Sequence, residues 1–510
     1  MQSAKKDDKL NFHANDASPA TPGQLIDLDE RRILKQGLKQ RHIQMIAFAG
    51  TIGTGLFLSS GQVIASAGPA GAIMGYSIVG ILVSGMLVSI AELSALVPLS
   101  GGIIRHAEYF VDPALSFAQG WNIAYAYFIS IAGEIVAAAV LVGFWIKLNS
   151  AIWITIFGGL AVICNLSLVR IYGELELSFA VLKILLIIGL NLMALVLVCG
   201  GGPAGKVHGA QYWHNPGPFV QYLNIPGRLG QFLGVWSSFT PAVYSFASVE
   251  NVTILAGETQ NPRQNIPKAA KRILARVVIF YIITILMITF IVPSNDPDLL
   301  KSTGTAAQSP FVLSAQRAGI KILPSIINAV VLTSAWSSGN SILMGGSRVL
   351  FGLAQERHAP SMLKRVSRWG VPYVAVSIMS LSVCLGYLTS NSAATIVFTW
   401  LQDLIAAYNY VAWMVICVVY LRFYYAMQKQ GITRDELPWK APWSTQTFIS
   451  SYLDIAILAA LYFGYKFWRK SRIIPLDEVP LRYYIDQARQ NQEPSLSRKG
   501  GWHRLNILWG

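Results

Sequence analysis

The feature that constrains this chain most is a succession of apolar blocks about 20 residues long, the length of α-helix needed to cross a hydrocarbon core roughly 30 Å thick. Eleven such blocks are readable, at about 43–66, 71–97, 114–146, 151–169, 177–199, 229–256, 273–293, 322–352, 371–389, 394–421 and 447–468. Hydrophobic residues make up 53% of the 510 residues and charged ones 13%, against roughly 25% charged in soluble domains. A soluble enzyme, a secreted disulfide scaffold and a disordered protein are all excluded. The chain reads as an all-α polytopic membrane protein.

Charge orients the blocks. The net charge of +15 sits in tails and loops, where Lys and Arg set membrane topology. No loop interleaves aromatic and basic residues as a base-stacking surface does, so no nucleic-acid partner is expected. The polar segment 1–42 carries Lys5, Lys6, Lys9, Arg31, Arg32, Lys35, Lys39 and Arg41. It reads as a cytoplasmic, mostly disordered tail without a cleavable signal peptide. Basic residues then recur after the sixth, eighth and tenth blocks, as in Arg263, Lys268, Arg357, Lys364, Arg422 and Lys429. The alternate loops are poor in them, which makes the N-terminus cytoplasmic. At the end the rule fails: eleven spans put the tail 469–510 outside, yet it opens at Lys466, Arg469, Lys470 and Arg472. Cys164, Cys199, Cys384 and Cys417 lie in or beside apolar blocks with neither CxxC spacing nor a His cluster. They read as core packing, and no metal or cofactor is expected.

Two blocks look interrupted. The first contains Ala49-Gly50-Thr51-Ile52-Gly53-Thr54-Gly55, and each glycine costs helix roughly 1 kcal/mol relative to alanine. The glycines fit close helix packing, or a broken helix whose free amide and carbonyl ends suit a carboxylate and an ammonium. The sixth block holds Ser237-Ser238-Phe239-Thr240-Pro241-Ala242-Val243-Tyr244-Ser245-Phe246-Ala247-Ser248. There Pro241 removes a backbone donor amid hydroxyl residues. Two breaks five blocks apart fit an inverted repeat, because an odd spacing reverses the direction of membrane entry. Intramembrane ionisable residues, here Glu92, Glu134, Lys183, Glu250 and Asp403, usually have a task. For Lys183 three readings remain: a proton-exchanging amine, a permanent stand-in for a bound cation, or a structural ion pair with Glu92, Glu134 or Glu250.

A longer set of motifs then becomes recognisable: Ile52-Gly53-Thr54-Gly55-Leu56-Phe57, Pro98-Leu99-Ser100-Gly101-Gly102, and Arg105 through Pro113. Others are Gly120-Trp121-Asn122, Glu258 through Arg263, Gly339-Asn340-Ser341, Ser347-Arg348 and Ala359-Pro360. In these the chain resembles the fungal amino-acid permeases of the amino acid–polyamine–organocation superfamily, from about Arg41 to Pro442 and again from about Thr447 to Pro494. The resemblance implies a five-plus-five inverted repeat like that of the bacterial leucine transporter. It also implies proton-coupled uptake of L-amino acids at the plasma membrane, so that substrate, protons and the lipid bilayer are the partners. By position, Gly50, Thr51, Gly53, Thr54 and Gly55 would hold the substrate carboxylate. Phe246, Ala247 and Ser248 would help hold the ammonium. Glu134 matches a transport-linked acidic residue, and Lys183 the lysine that takes the sodium position in proton-coupled relatives. Many relatives have glycine where this chain has Ser248, which leaves substrate choice open.

The organisation expected is a tail at 1–42, a ten-helix core at 43–421, a cytoplasmic loop at 422–446, a last helix at 447–468 and a tail at 469–510. The family has twelve helices. Only Trp443 to Gln446 stand where its eleventh would be, so that helix is missing here, by an incomplete gene model or by a genuine variation. A transporter, not an enzyme, is expected. The rival readings are an amino-acid-sensing receptor without net transport and a non-functional truncated paralogue.

Overall fold

The computed structural model describes residues 54–97, 102–146, 148–166, 169–202, 209–250, 262–300, 309–367, 370–390 and 394–432. The tail at 1–42, the glycine positions Gly50, Thr51 and Gly53, the Trp443–Gln446 junction and the expected last helix at 447–468 lie outside the described residues. What is described is helical throughout, with no strand among the described residues.

Ten helical segments account for most of it. Residues 55–67 form α1, which opens as a π-helical turn at Gly55–Ser59. At Gly68 the backbone turns to φ 77°, a conformation open to glycine, and Pro69 then starts α2, residues 69–96. The expected loop between the first two blocks is therefore a single bend. Next come α3 (Pro113–Val142), α4 (Ser150–Leu166) and α5 (Val169–Val198). The side chain of Asp112 caps α3 by accepting the amide of Ala114, with Pro113 at the first helical position, where its lost donor costs nothing. The second half comprises α6 (Arg228–Ser237 and Phe239–Ser245), α7 (Pro262–Ile291) and α8 (Leu323–Gln355). It ends with α9 (Tyr373–Ser380, tightening into 3-10 helix at Leu381–Ser390) and α10 (Ala394–Lys429). Gly55–Leu96, Pro113–Val142, Ser178–Val198 and Ile396–Lys429 are each long and apolar enough to cross a membrane on their own.

Packing relates the two halves. Four helices of the first half pack on the helix five along: α1 on α6, α2 on α7, α3 on α8 and α4 on α9. Several cross-contacts follow the same shift. Thus α3 touches α10 as α8 touches α5, α2 touches α10 as α7 touches α5, and α3 touches α9 as α8 touches α4. This recurrence fits a repeat of five helices, as in inverted-repeat transporters.

Within the bilayer apolar burial does not drive helices together, so packing and polar cross-links decide. Glycines allow the close approaches. A methyl on Gly120 would lie 2.4 Å from Leu353 Cδ2, and one on Gly346 would lie 2.9 Å from Tyr127 Cβ. Polar links join helices across the repeat: Asn165 Nδ2 donates to Asn340 Oδ1 at 2.7 Å, and Asn191 Nδ2 to Thr284 Oγ1 at 3.0 Å. The outer faces of α4 and α5 stay apolar and exposed, through Ile152, Ile156, Ile163, Leu185 and Leu192. Cys199 and Cys384 belong to that exposed surface rather than to the core, because those positions face away from the bundle.

The connections sort onto two faces. On one, Arg105 from the short helix Ile103–Phe110 pairs with Glu356 at 3.1 Å, and Trp121 donates to the carbonyl of His358. Arg422 donates to the carbonyl of Phe110, which holds α10 in helix past the expected boundary at 421. On the other face Ala70 N–H reaches Pro218 O, Trp213 reaches Thr289, and Arg317 pairs with Asp296. Among the described residues, the connections after α2 and α8 and the end of α10 share the first face, and those after α1, α5 and α7 share the second.

Candidate functional site

The site grows out of the two breaks. Of the expected carboxylate-holding residues, Thr54 and Gly55 are described and both are buried. Thr54 has helical backbone and leads into the π-helical turn of α1. In the sixth helix the interruption is double. Pro241 gives the preceding turn no amide, and the helix dislocates at Ser238 without ending. The real break comes later, where the helix stops at Ser245 and residues 246–250 run as turns. Pro241 is thus helical, and the expected break moves downstream to Phe246, Ala247 and Ser248. The cause is visible at Ser248, whose φ of 67° no α-helix can contain. For a residue with a side chain that conformation costs roughly 1–2 kcal/mol.

Gly55 touches α6 at its break. A methyl at Gly55 would lie 2.9 Å from Ser245 Cα and 3.0 Å from Tyr244 Cδ1, so only glycine allows this approach. An α-helix leaves its last four carbonyls without helical partners. The first described turn of α1 therefore meets the carbonyl end of the segment of α6 that precedes the break, which carries about half an elementary negative charge. Aromatic rings line the junction: Phe246 packs tilted against Tyr281 of α7 at 4.8 Å between centroids, and Tyr244 meets Phe398 of α10 edge-on at 6.2 Å. Tyr76 of α2 holds Ser245 through hydroxyls 2.9 Å apart.

Beside the junction lies Glu134, buried in α3. Thr54 Oγ1 donates to Glu134 Oε1 at 3.3 Å and is 3.1 Å from the Tyr244 hydroxyl. Lys183 of α5 is 1% exposed and acts electrostatically on Glu134. Of the partners open to Lys183 on sequence grounds, the structure brings Glu134 to it. The other buried carboxylates are engaged elsewhere. Glu92 accepts the Tyr420 hydroxyl at 2.7 Å, and Glu250 accepts Trp413 Nε1 at 3.5 Å. Asp403 is on the exposed side of α10. No cluster of His, Cys, Asp or Glu able to hold a metal occurs among the described residues.

Thr54, Gly55, Glu134, Lys183, Phe246, Ala247 and Ser248 thus come from four helices. Sequence reasoning passed over Tyr244, Tyr76 and Gln402. The last of these accepts from Ser59 at 3.1 Å and ties α10 to α1. A tyrosine inside a run of small hydroxyl residues was the one available signal for Tyr244. Tyr127, by contrast, packs under Gly345 and Gly346, and Tyr125 is exposed.

Two five-helix halves with an interrupted helix at their junction, beside buried ionisable residues, are the build of a secondary transporter. The chain belongs to the amino acid permease family, whose profile matches residues 42–469. It is 36% identical to the proline-specific permease of Saccharomyces cerevisiae over 89% of this chain and 78% of that one. It is 33% identical to the general amino-acid permease of the same yeast, over 93% and 86%. With the proline-specific permease of Emericella nidulans the identity is 36%, over 87% of each. Solved structures with a similar path include Mhp1, a nucleobase-cation-symport-1 family transporter, at 12% identity, TM-score 0.46, and coverage of 89% of this chain and 93% of that one. A manganese transporter of Eremococcus coleocola gives 12% identity, TM-score 0.49, and coverage of 88% and 94%.

Proposed function

We propose that the protein takes up L-amino acids together with protons by alternating access across the plasma membrane, with its N-terminus in the cytoplasm, and performs no covalent chemistry on its substrate. The observation that carries this reading is the contact between Gly55 and Ser245. It sets the first described turn of α1 against the carbonyl end of α6, and in this reading a break just upstream, at residues 50–53, adds the amide end that a zwitterion needs. Thr54 and Gly55, continuing upstream through Gly53, Thr51 and Gly50, bind the carboxylate. The carbonyls of Phe246, Ala247 and Ser248 take the ammonium. Among relatives of 33–36% identity are permeases named for proline, for dicarboxylic and for basic amino acids. The shared element is then the α-amino-acid backbone, which this pair of helix ends addresses, and side-chain choice is a separate matter.

Coupling follows from a shortage of protons on one hydroxyl. Thr54 has a single O–H to donate. While Glu134 is a carboxylate, that proton points to Oε1 and is withheld from the substrate. Once Glu134 takes up a proton, Thr54 turns its O–H to the substrate carboxylate, so substrate and proton favour each other's binding. Lys183 supplies a positive charge that opposes the cost of burying an ionised Glu134. Basic residues on the face of the Arg105–Glu356 pair, among them Arg357, Lys364 and Arg422, support taking that face as the cytoplasmic one.

The test is uptake of labelled proline, glutamate, lysine and leucine by fungal cells lacking their own permeases, with and without a proton uncoupler. Uptake abolished by the uncoupler supports the reading. Absence of uptake, from protein demonstrated at the cell surface, overturns it.

A further inference from the structure

Resting on the transport reading above, we propose that Tyr244 is a positioning residue that transmits the protonation state of Glu134 to the break in α6. Three observations meet in it. First, the Tyr244 hydroxyl, Thr54 Oγ1 and Glu134 Oε1 form a chain of 3.1 and 3.3 Å that joins α6, α1 and α3. Second, the post at one end of the chain is fixed. At Glu134 the backbone of α3 is pressed against α8, where a methyl on Gly339 would lie 3.3 Å from Glu134 Cβ. Third, the other end is attached to the element that binds substrate. Tyr244 is the penultimate residue of the first segment of α6, immediately before Ser245 and the turns of residues 246–250. Any displacement of its hydroxyl displaces the carbonyl end of that helix.

The chemistry gives the chain two senses. With Glu134 ionised, an acceptor-only group ends the chain, so Thr54 donates to it and Tyr244 donates to Thr54, each bond strengthened by the charge. With Glu134 protonated, its O–H donates to Thr54, Thr54 donates onward, and Tyr244 no longer has a charge to hold it. No atom beyond the one transported proton is gained or lost. The charged and titratable groups facing Glu134 are Lys183 from α5, Tyr244 from α6 and Tyr281 from α7. From the other packed helices come Thr54 of α1 and Gly339 of α8, while Leu401 and Ile405 of α10 contact the neighbouring Gly133.

Tyr244→Phe deletes only the hydroxyl and keeps the ring against Phe398. For whichever labelled amino acid the wild type takes up, the maximal rate falls about ten-fold, as expected for loss of one charge-assisted hydrogen bond. KM stays within about two-fold and the dependence on external pH flattens. A raised KM with the maximal rate intact makes Tyr244 a substrate contact and overturns the proposal, as does a slower rate with the wild-type pH profile. A second measurement needs no transport. Melting midpoints of the full-length protein in detergent are compared for Tyr244→Phe, Glu134→Gln and the double variant. The expected result is non-additive, Tyr244→Phe lowering the midpoint of wild type by about 2 °C or more and that of Glu134→Gln scarcely at all. Additive losses overturn the proposal even if the wild type proves not to transport.

Discussion

Gly55 and Ser245 lie so close that no side chain fits between the helices that carry them: a methyl on the first would be 2.9 Å from the Cα of the second. This contact brings the first described turn of α1 against the last turn of α6 before its break, and their neighbours Thr54 and Tyr244, 190 residues apart, meet there as well. It also gives the most direct test of the site. Gly55→Ala forces α1 away from α6, against backbone that cannot yield. Displacements of this kind cost about 100-fold in rate even when folding survives. Initial uptake rates normalised to surface protein should therefore fall to near background, and a rate within a factor of about three of wild type would mean that the two turns need not meet.

Glu134 and Lys183 are a buried pair, so removing either leaves the other charge exposed to a low-dielectric setting, a cost of about 3–5 kcal/mol. The two single variants nevertheless differ. Lys183→Ala should leave uptake that no longer responds to external pH or to an uncoupler, with protein still at the surface. Glu134→Gln should lower uptake far more than abundance, because a neutral amide holds Thr54 without a proton to exchange. Parallel measurement of surface protein and uptake across external pH decides both. Activity that merely follows abundance would make the pair structural.

Ser248 spends about 1–2 kcal/mol on its left-handed backbone. Ser248→Gly removes that cost and widens the space beside Phe246 and Ala247. The melting midpoint should rise by a few degrees, about 2–4 °C per kcal/mol for chains of moderate length. The order of preference among competing labelled amino acids should change as well. An unchanged order with a raised midpoint would assign Ser248 to backbone geometry alone.

His106, on the short helix Ile103–Phe110, is fully buried with Nε2 2.9 Å from the carbonyl of Val97. Burial, opposed by that hydrogen bond and aided by Arg105, lowers its pKa to about 4 from 6.5. A depressed histidine favours the folded protein above its unfolded pKa. That contribution is present above pH 6.5 and is lost as pH falls toward 4, amounting at most to about 3 kcal/mol. Detergent-solubilised protein should melt at progressively lower temperature across this window. His106→Asn should flatten that slope, and an equally steep slope in the variant would place the acid sensitivity in other groups.

Much of this protein is written in its sequence at short range. Block length and hydropathy set the ten described helical segments, because a chain in lipid must satisfy its backbone locally and a helix is the local solution. Glycines and a proline at membrane depth marked both interrupted helices, and Glu134 and Lys183 announced themselves as ionisable groups in apolar runs. Pro241 illustrates the limit. A proline signals a lost hydrogen bond, yet the helix tolerates that loss at Ser238 and breaks only where Ser248 adopts a left-handed backbone, a conformation serine does not advertise. Which buried carboxylate Lys183 would face was likewise open, since Glu92, Glu134 and Glu250 were equivalent by composition. Only the crossing of α2 and the end of α6 with α10, and of α3 with α1, sends Glu92 to Tyr420, Glu250 to Trp413 and Glu134 to Thr54. Those assignments depend on residues far apart in the chain meeting at helix-packing distances, and no periodicity within one helix records the rotation of its neighbour.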